Sequence, residues 1–159
     1  SLDDVDGDGE LDLVTANIGA GSVSVLLGAG DGTFPTSASV AVGVEPLAVS
    51  LDDLNGDGEL DLVSANSLSN NVSVLLGAGD GTFGAATNFT VGTKPRSVSI
   101  GDLDGDGALD LVTANQDSDD LSVLLGAGDG TFGAAVSIPV GDGPHSVAMG
   151  DLDGDGALD

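Results

Sequence analysis

The sequence predicts an all-β fold, a β-propeller-type repeat array of four-stranded antiparallel blades with a 49-residue period, about three blades in 159 residues. Three observations predict it. The segment "DVDGDGELD" at 4–12 recurs as "DLNGDGELD" at 53–61 and "DLDGDGALD" at 102–110 and 151–159, always in steps of 49 residues, which is a strict internal repeat. Between the copies, apolar and β-branched runs of four to seven residues are bounded by Gly, Asp, Asn and Pro, the pattern of short strands. No apolar period of 3.6 residues survives beyond one turn.

Each element follows from one period, taken from Pro46. Residues 46–52 form the inner strand A, which runs into the acidic segment; that segment turns the chain into strand B at 60–65. A variable loop, "SLSNN", leads to strand C at 71–76. The invariant "GAGDG" then makes a tight hairpin, its glycines permitting positive φ, and strand D follows at 86–91. The resulting blades are 1–45 (lacking most of its inner strand), 46–94 and 95–143, with 144–159 supplying the inner strand and acidic loop of a fourth. The A–B and C–D loops emerge on one, constant face. The B–C and D–A loops emerge on the other, variable one.

Composition narrows the function classes. A formal charge of −25, from 27 acids against Lys94 and Arg96, disfavours nucleic acid and anionic membranes as partners, because phosphate is repelled. The chain has no Cys, so neither disulfides nor thiolate metal sites are available, and no apolar run long enough to insert into a bilayer.

The acidic segments carry the chemistry. Numbered from Asp102, carboxylates stand at positions 1, 3, 5 and 9 (Asp102, Asp104, Asp106, Asp110), with glycines at 4 and 6 that let the backbone turn around a common point. The equivalents are Asp4, Asp6, Asp8 and Asp12; Asp53, Asn55, Asp57 and Asp61; and Asp151, Asp153, Asp155 and Asp159. The backbone carbonyl of position 7 (Glu10, Glu59, Ala108, Ala157) can also point inward. An oxygen-only cage of this kind suits calcium, Ca2+, better than magnesium, which prefers a smaller octahedral shell with retained waters. An EF-hand is excluded: it needs Glu at position 12 and flanking helices, and position 12 is Thr15, Ser64 or Thr113 within a strand. Asp-Gly pairs also form plain turns, but a turn does not need four converging, mutually repelling carboxylates. Fifteen of the 27 acids occupy these positions, and Asn55 predicts a weaker second site.

With "GDLDGDGALDLVTAN", "SVLLGAGDGTFG" and "VGxxPxSV" at fixed spacing, the whole chain resembles the FG-GAP repeat family in its VCBS-type form. Phe83-Gly84 and Phe132-Gly133 match the Phe-Gly pair; the first copy has Phe34-Pro35, and Gly-Ala-Gly replaces Gly-Ala-Pro. The resemblance implies a calcium-binding propeller, typically seven-bladed, as in integrin α-chain heads and bacterial surface proteins, and implies adhesion, glycan binding or scaffolding more often than catalysis. Seven such blades exceed this chain, so the expectation is a slice of a longer repeat polypeptide, or copies assembling end to end into a ring or fibre.

Other candidates are weaker signals. Glu45, Leu47, Lys94, Arg96 and His145 flank the three D–A prolines on the variable face and could present a ligand surface, or simply drift in exposed loops. Asn71 and Asn88 head glycosylation sequons. No nucleophile accompanies His145, so no enzyme is expected. The reading is a non-enzymatic, extracellular or cell-surface calcium-binding module, structural or adhesive, whose partners are calcium, further copies or repeats of itself, and glycans or surface proteins. The alternatives are a carbohydrate-binding propeller using the variable loops and an accessory propeller of a larger enzyme.

Overall fold

Alternation along "DLVSAN" decides how the chain packs. Successive strand side chains point to opposite faces, so Leu62 goes to one side of its sheet while Val63 and Ala65 go to the other. All three are 0% exposed, which requires a neighbour on both faces. The computed structural model, which describes residues 1–159, supplies them as three four-stranded antiparallel sheets stacked in sequence.

The first sheet comprises β1 (Leu2–Asp3), β2 (Asp12–Asn17), β3 (Ser22–Leu27) and β4 (Thr36–Ala41), with a 3-10 turn at Ile18–Ala20. The second comprises β5 (Pro46–Asp52), β6 (Asp61–Asn66), β7 (Asn71–Leu75) and β8 (Thr87–Thr90). The third comprises β9 (Pro95–Gly101), β10 (Asp110–Asn115), β11 (Asp120–Leu124) and β12 (Val136–Pro139). Strand order follows chain order in every sheet, the up-and-down meander of propeller blades. Strand β5 lies beside β9, so the blades approach most closely along their inner strands.

Strand B was expected at 60–65 and forms at 61–66. Leu60 stays in the loop, where its carbonyl lies against Gly77, while Asn66 pairs with both Pro46 and Asn71. The inner strand expected at 144–150 is not formed. In the other blades this strand is ordered by a ladder with residues such as 110–115, whereas here the backbone pairs only at Gly150 and Asp159, the Asp159 N–H donating to the Gly150 carbonyl at 3.0 Å, and the Val147 N–H reaches Ser97 Oγ at 3.4 Å.

The core sits between blades, not within them. Val5, Val14, Val23 and Val25 of the first blade pack on Leu62 and Leu75 of the second. Leu54, Val63, Ala65, Val72 and Val74 of the second pack on Val98, Leu111 and Leu124 of the third. The second blade therefore buries its two faces against different neighbours, as expected for a solenoid-like repeat. No helix of the chain is long and apolar enough to cross a membrane.

Candidate functional site

Each acidic loop winds around its own carboxylates. In the first, Asp4 accepts the N–H groups of Gly7 (2.8 Å) and Gly9 (2.8 Å), Asp6 accepts that of Asp8 (3.2 Å), and Asp8 accepts that of Glu10 (2.8 Å). The same contacts recur in the loops led by Asp53, Asp102 and Asp151. The turn depends on Gly56 (φ 75°) and Gly58 (φ 90°) and their equivalents, which occupy backbone conformations that side chains disfavour.

Position 9 behaves differently from the rest. Asp61 is 0% exposed, and its two oxygens accept backbone N–H groups from both loops of the constant face: Leu54 in the A–B loop at 3.0 Å and Gly77 in the C–D turn at 2.8 Å. Asp12 and Asp110 repeat this with Val5 and Gly28, and with Leu103 and Gly126. A second clasp joins neighbours: the N–H of Gly81 reaches the Val5 carbonyl (3.1 Å), and that of Gly130 reaches the Leu54 carbonyl (3.2 Å). The C–D turns of the second and third blades thereby hold the acidic loops of the blades before them.

Carboxylate oxygens come within 4.8 Å of one another in Asp4, Asp6 and Asp8, in Asp102, Asp104 and Asp110, and in Asp151, Asp153 and Asp159. These donor sets are all-oxygen and fit a hard cation. The second loop departs from them: the Nδ2 of Asn55 donates to Asp57 at 2.9 Å, so its amide nitrogen, not its oxygen, faces that carboxylate. Asp106, Asp155 and the position-7 residues Ala108 and Ala157 belong to the loops without joining these clusters. Glu10 and Glu59 lay their carboxylates against Gly30 and Gly79 of the C–D turn.

Burial and neighbouring charge act on two of the loop carboxylates. Burial pushes the Asp61 carboxyl above the ordinary aspartate value, helped by the charges of Asp57 and Asp53 and opposed by the N–H groups of Gly77 and Leu54. Desolvation likewise raises Asp6, where Asp8, Asp12 and Asp4 add repulsion. In the second loop Asp57 is instead held low, by the Glu59 N–H and the Asn55 amide.

The variable face has a skeleton that sequence reading missed. The last residue of "LVSAN", Asn66, is buried; its Nδ2 donates to Asn71 Oδ1 (2.9 Å) and Ser73 Oγ (2.8 Å), and its Oδ1 accepts from Ser64 Oγ (3.1 Å). Asn115 makes the same set with Asp120, Ser122 and Thr113, each at 2.9 Å, and Asn17 reaches Ser22 and Ser24. The linker from the previous blade crosses directly over this asparagine. A Cβ on Gly43 would lie 2.7 Å from the Asn66 side chain; on Gly92 it would lie 2.5 Å from Ser118 Oγ and 2.6 Å from Asn115 Nδ2. Ser69 and Ser118 then accept the linker N–H groups of Val44 (2.6 Å) and Thr93 (2.8 Å). The available signal was the same Asn, Gly and Ser standing at one offset in every copy that follows a linker.

The candidate ligand residues sit on this skeleton. Leu47 and Arg96 are the extra residues of bulges in β5 and β9, between the pairs Pro46–Asn66 and Ala48–Ala65 and between Pro95–Asn115 and Ser97–Ala114. Glu45 (φ 54°) and Lys94 (φ 56°) have left-handed backbones, as does Gly143 (φ 62°) at the same offset. Lys94 pairs with Asp117 at 2.7 Å and Arg96 donates to Gln116, so both cations are engaged by the neighbouring B–C loop. His145 is exposed. Asn71 turns its side chain toward Asn66, whereas Asn88 is exposed and accepts from Ser73 Oγ at 2.7 Å.

Between the second and third blades, a groove of about 570 Å³ borders this network and is lined by Phe89, Phe132, Asp120, Ser122, Ser137 and Asn88 among others. The two rings meet edge to face at 5.4 Å.

Comparison with known proteins agrees with this architecture. Solved structures similar to the chain include the Tc holotoxin pore of Photorhabdus luminescens (24% identity, TM-score 0.59, covering 99% of this chain and 8% of that one). BBS1N in complex with ARL6DN gives 19% identity and a TM-score of 0.66, covering 97% of this chain and 47% of that one. An Agrocybe aegerita lectin solved for its recognition of non-reducing terminal N-acetylglucosamine gives 28% identity and a TM-score of 0.64, covering 99% of this chain and 44% of that one. The chain thus spans less than half the length of each. No curated protein matches it. The FG-GAP-like repeat model matches residues 4–63, 53–113 and 102–159, one match starting at each of the first three acidic loops, and the chain belongs to that family.

Proposed function

We propose that the chain is a non-enzymatic, calcium-stabilised repeat module that acts structurally or adhesively outside the cell. The observation that supports this best is the clustering of carboxylate oxygens within 4.8 Å in three of the four loops, in a backbone fold that already crowds their charges. Asp4, Asp6, Asp8 and Asp12 and their equivalents would hold the cations, with Asn55 turning its oxygen inward in the second loop. Four dications would bring the formal charge from −25 to −17. Exposed loops of this type suit dissociation constants of about 10⁻⁴ to 10⁻³ M, which matches extracellular and not cytosolic calcium. Because the first and second loops are clasped by the next blade's C–D turn, calcium would stiffen the joints between blades, a role that fits a scaffold made of joined copies or repeats.

The test is thermal unfolding with calcium and with EDTA. At about 100 times the dissociation constant each site contributes about 2.7 kcal/mol, so EDTA should lower Tm by of order 10 °C or more. An unchanged Tm, with no heat of calcium binding by titration calorimetry, would overturn the reading.

A second reading, glycan binding, draws on the groove between the second and third blades and on likeness to the Agrocybe aegerita lectin. Phe132 offers an apolar ring and Asp120, Ser122 and Ser137 offer polar atoms, the combination that takes a sugar. Calorimetric titration with N-acetylglucosamine checks it. Binding by the parent and not by Phe132→Ala would support it, and an absence of heat would remove it.

A further inference from the structure

The second acidic loop differs from the others at one carboxylate position, Asn55 in place of Asp6, Asp104 and Asp153. The residue after it is Gly56, and of the seven asparagines in the chain only Asn55 precedes a glycine. Asparagine followed by glycine has its own chemistry. The Gly nitrogen, unshielded by any side chain, can attack the Asn Cγ to close a five-membered succinimide, and the amide nitrogen leaves as ammonia. Water then opens the ring at either carbonyl, giving aspartate or, by the other bond, isoaspartate. The net change is amide plus water to carboxylic acid plus ammonia, without oxidant or reductant.

The loop geometry bears on every atom of this step. The attacking nitrogen of Gly56 donates its hydrogen to Asp53 Oδ1 at 2.7 Å, and a carboxylate there disfavours the amide anion that attack requires. The Asn55 side chain is tethered at both ends: Oδ1 accepts the Asp57 N–H and Nδ2 donates to Asp57 Oδ2, each at 2.9 Å. Gly56 is exposed and Asn55 half-buried, so water reaches the site. Local opening of a surface loop costs far less than global unfolding, and it frees both partners together.

We propose that Asn55-Gly56 is a site of spontaneous deamidation, held back by the closed loop and released when the loop opens. Its aspartate branch turns "DLNGDG" into the "DLDGDG" of the third and fourth loops and adds one negative charge. Its isoaspartate branch adds a methylene to the backbone of the turn and breaks the equivalence of the four loops. The second loop therefore changes composition with the age of the protein, and the others keep theirs at this position.

The experiment is incubation of the purified protein in mildly alkaline, chelator-containing buffer, with and without urea, followed by peptide mapping that separates Asn, Asp and isoaspartate. Conversion at Asn55, slower at Asn66-Ser67, accelerated several-fold by urea and abolished in Asn55→Gln, is the expected result. An Asn55 that stays intact in both conditions overturns the site. Equal rates with and without urea overturn the restraint by the loop. With circular dichroism confirming that the urea-free sample stays folded in chelator, neither outcome depends on the calcium reading.

Discussion

The two faces of the array hold their loops by opposite means. On the constant face a buried carboxylate, Asp61, gathers backbone N–H groups from its A–B and C–D loops. On the variable face a buried amide, Asn66, gathers side chains, and the linker glycine passes over it. The first face repeats almost letter for letter because backbone partners leave no freedom. The second changes its letters, Asn71 for Asp120 and Ser64 for Thr113, because side-chain partners can be exchanged as long as donors meet acceptors. No buried side-chain nitrogen or oxygen lacks a partner on either face. Sequence variation therefore measures how replaceable the partners are, and not whether a surface is free for binding.

The widest separation between the faces should come from removing each buried pin. Asp61→Ala leaves the N–H groups of Leu54 and Gly77 without an acceptor, and should cost about 3–5 kcal/mol. Asn66→Ala leaves hydroxyls that can rotate toward one another, and should cost about 2–3 kcal/mol. Urea unfolding of both variants, in calcium and again in EDTA, checks the order; an Asp61→Ala loss seen only in calcium would assign that side chain to a cation and not to the clasp.

Next comes the linker. Gly92→Ala sets a methyl 2.5–2.6 Å from Ser118, Asn115 and Asp120, and overpacking of this kind costs about 1–3 kcal/mol. The same change at Gly141, where a Cβ meets nothing within 4 Å, should stay within about 0.5 kcal/mol. Equal losses at the two positions would show that backbone preference, not the crossing over the asparagine, selects glycine.

How much of this was legible follows from which interactions are local. Strands 46–52 and 71–75 were placed to within a residue because alternation and bounding turns are short-range signals. The carboxylates of the loops were legible because they are spaced around a point that lies within nine residues. The clasp made by Asp61 was hidden in that list, since its partner Gly77 is 16 residues away and in another loop. The linker contact was hidden more deeply: Gly92 and Ser122 are 30 residues apart and belong to different blades. Phe132 read as half of a Phe-Gly pair, and only packing of the third blade on the second puts its ring against Phe89.

A pH experiment sharpens the comparison within the variable face. Asp120 occupies the place of Asn71. Burial raises its carboxyl, but bonds from Ser137, Ser118 and Asn115 outweigh that and hold it below the ordinary aspartate value. A carboxyl depressed on folding contributes stability that is full above its unfolded pKa of about 3.9 and is lost as pH falls through the folded value. Asp120→Asn should therefore cost about 1 kcal/mol near neutral pH and progressively less below about pH 4. A difference that stays constant down to pH 2 would mean that charge plays no part at this position.

A small effect belongs to the left-handed residue before the proline. Lys94 holds φ at 56°, which costs a side-chain-bearing residue about 1 kcal/mol, and its ammonium pairs with Asp117 at 2.7 Å while both remain well exposed. An exposed pair of this kind contributes about 0–1 kcal/mol, and glycine makes the unfolded chain more flexible by a similar amount. Lys94→Gly, which copies Gly143, should thus leave stability within about 1 kcal/mol of the parent, with a slight gain at high salt, where the parent's ion pair is screened and the backbone relief remains. Chemical denaturation at low and high salt measures it. A large loss at low salt alone would make Lys94–Asp117 a true joint between blades, and would give the variable face an electrostatic clasp to set beside the carboxylate clasp of the constant one.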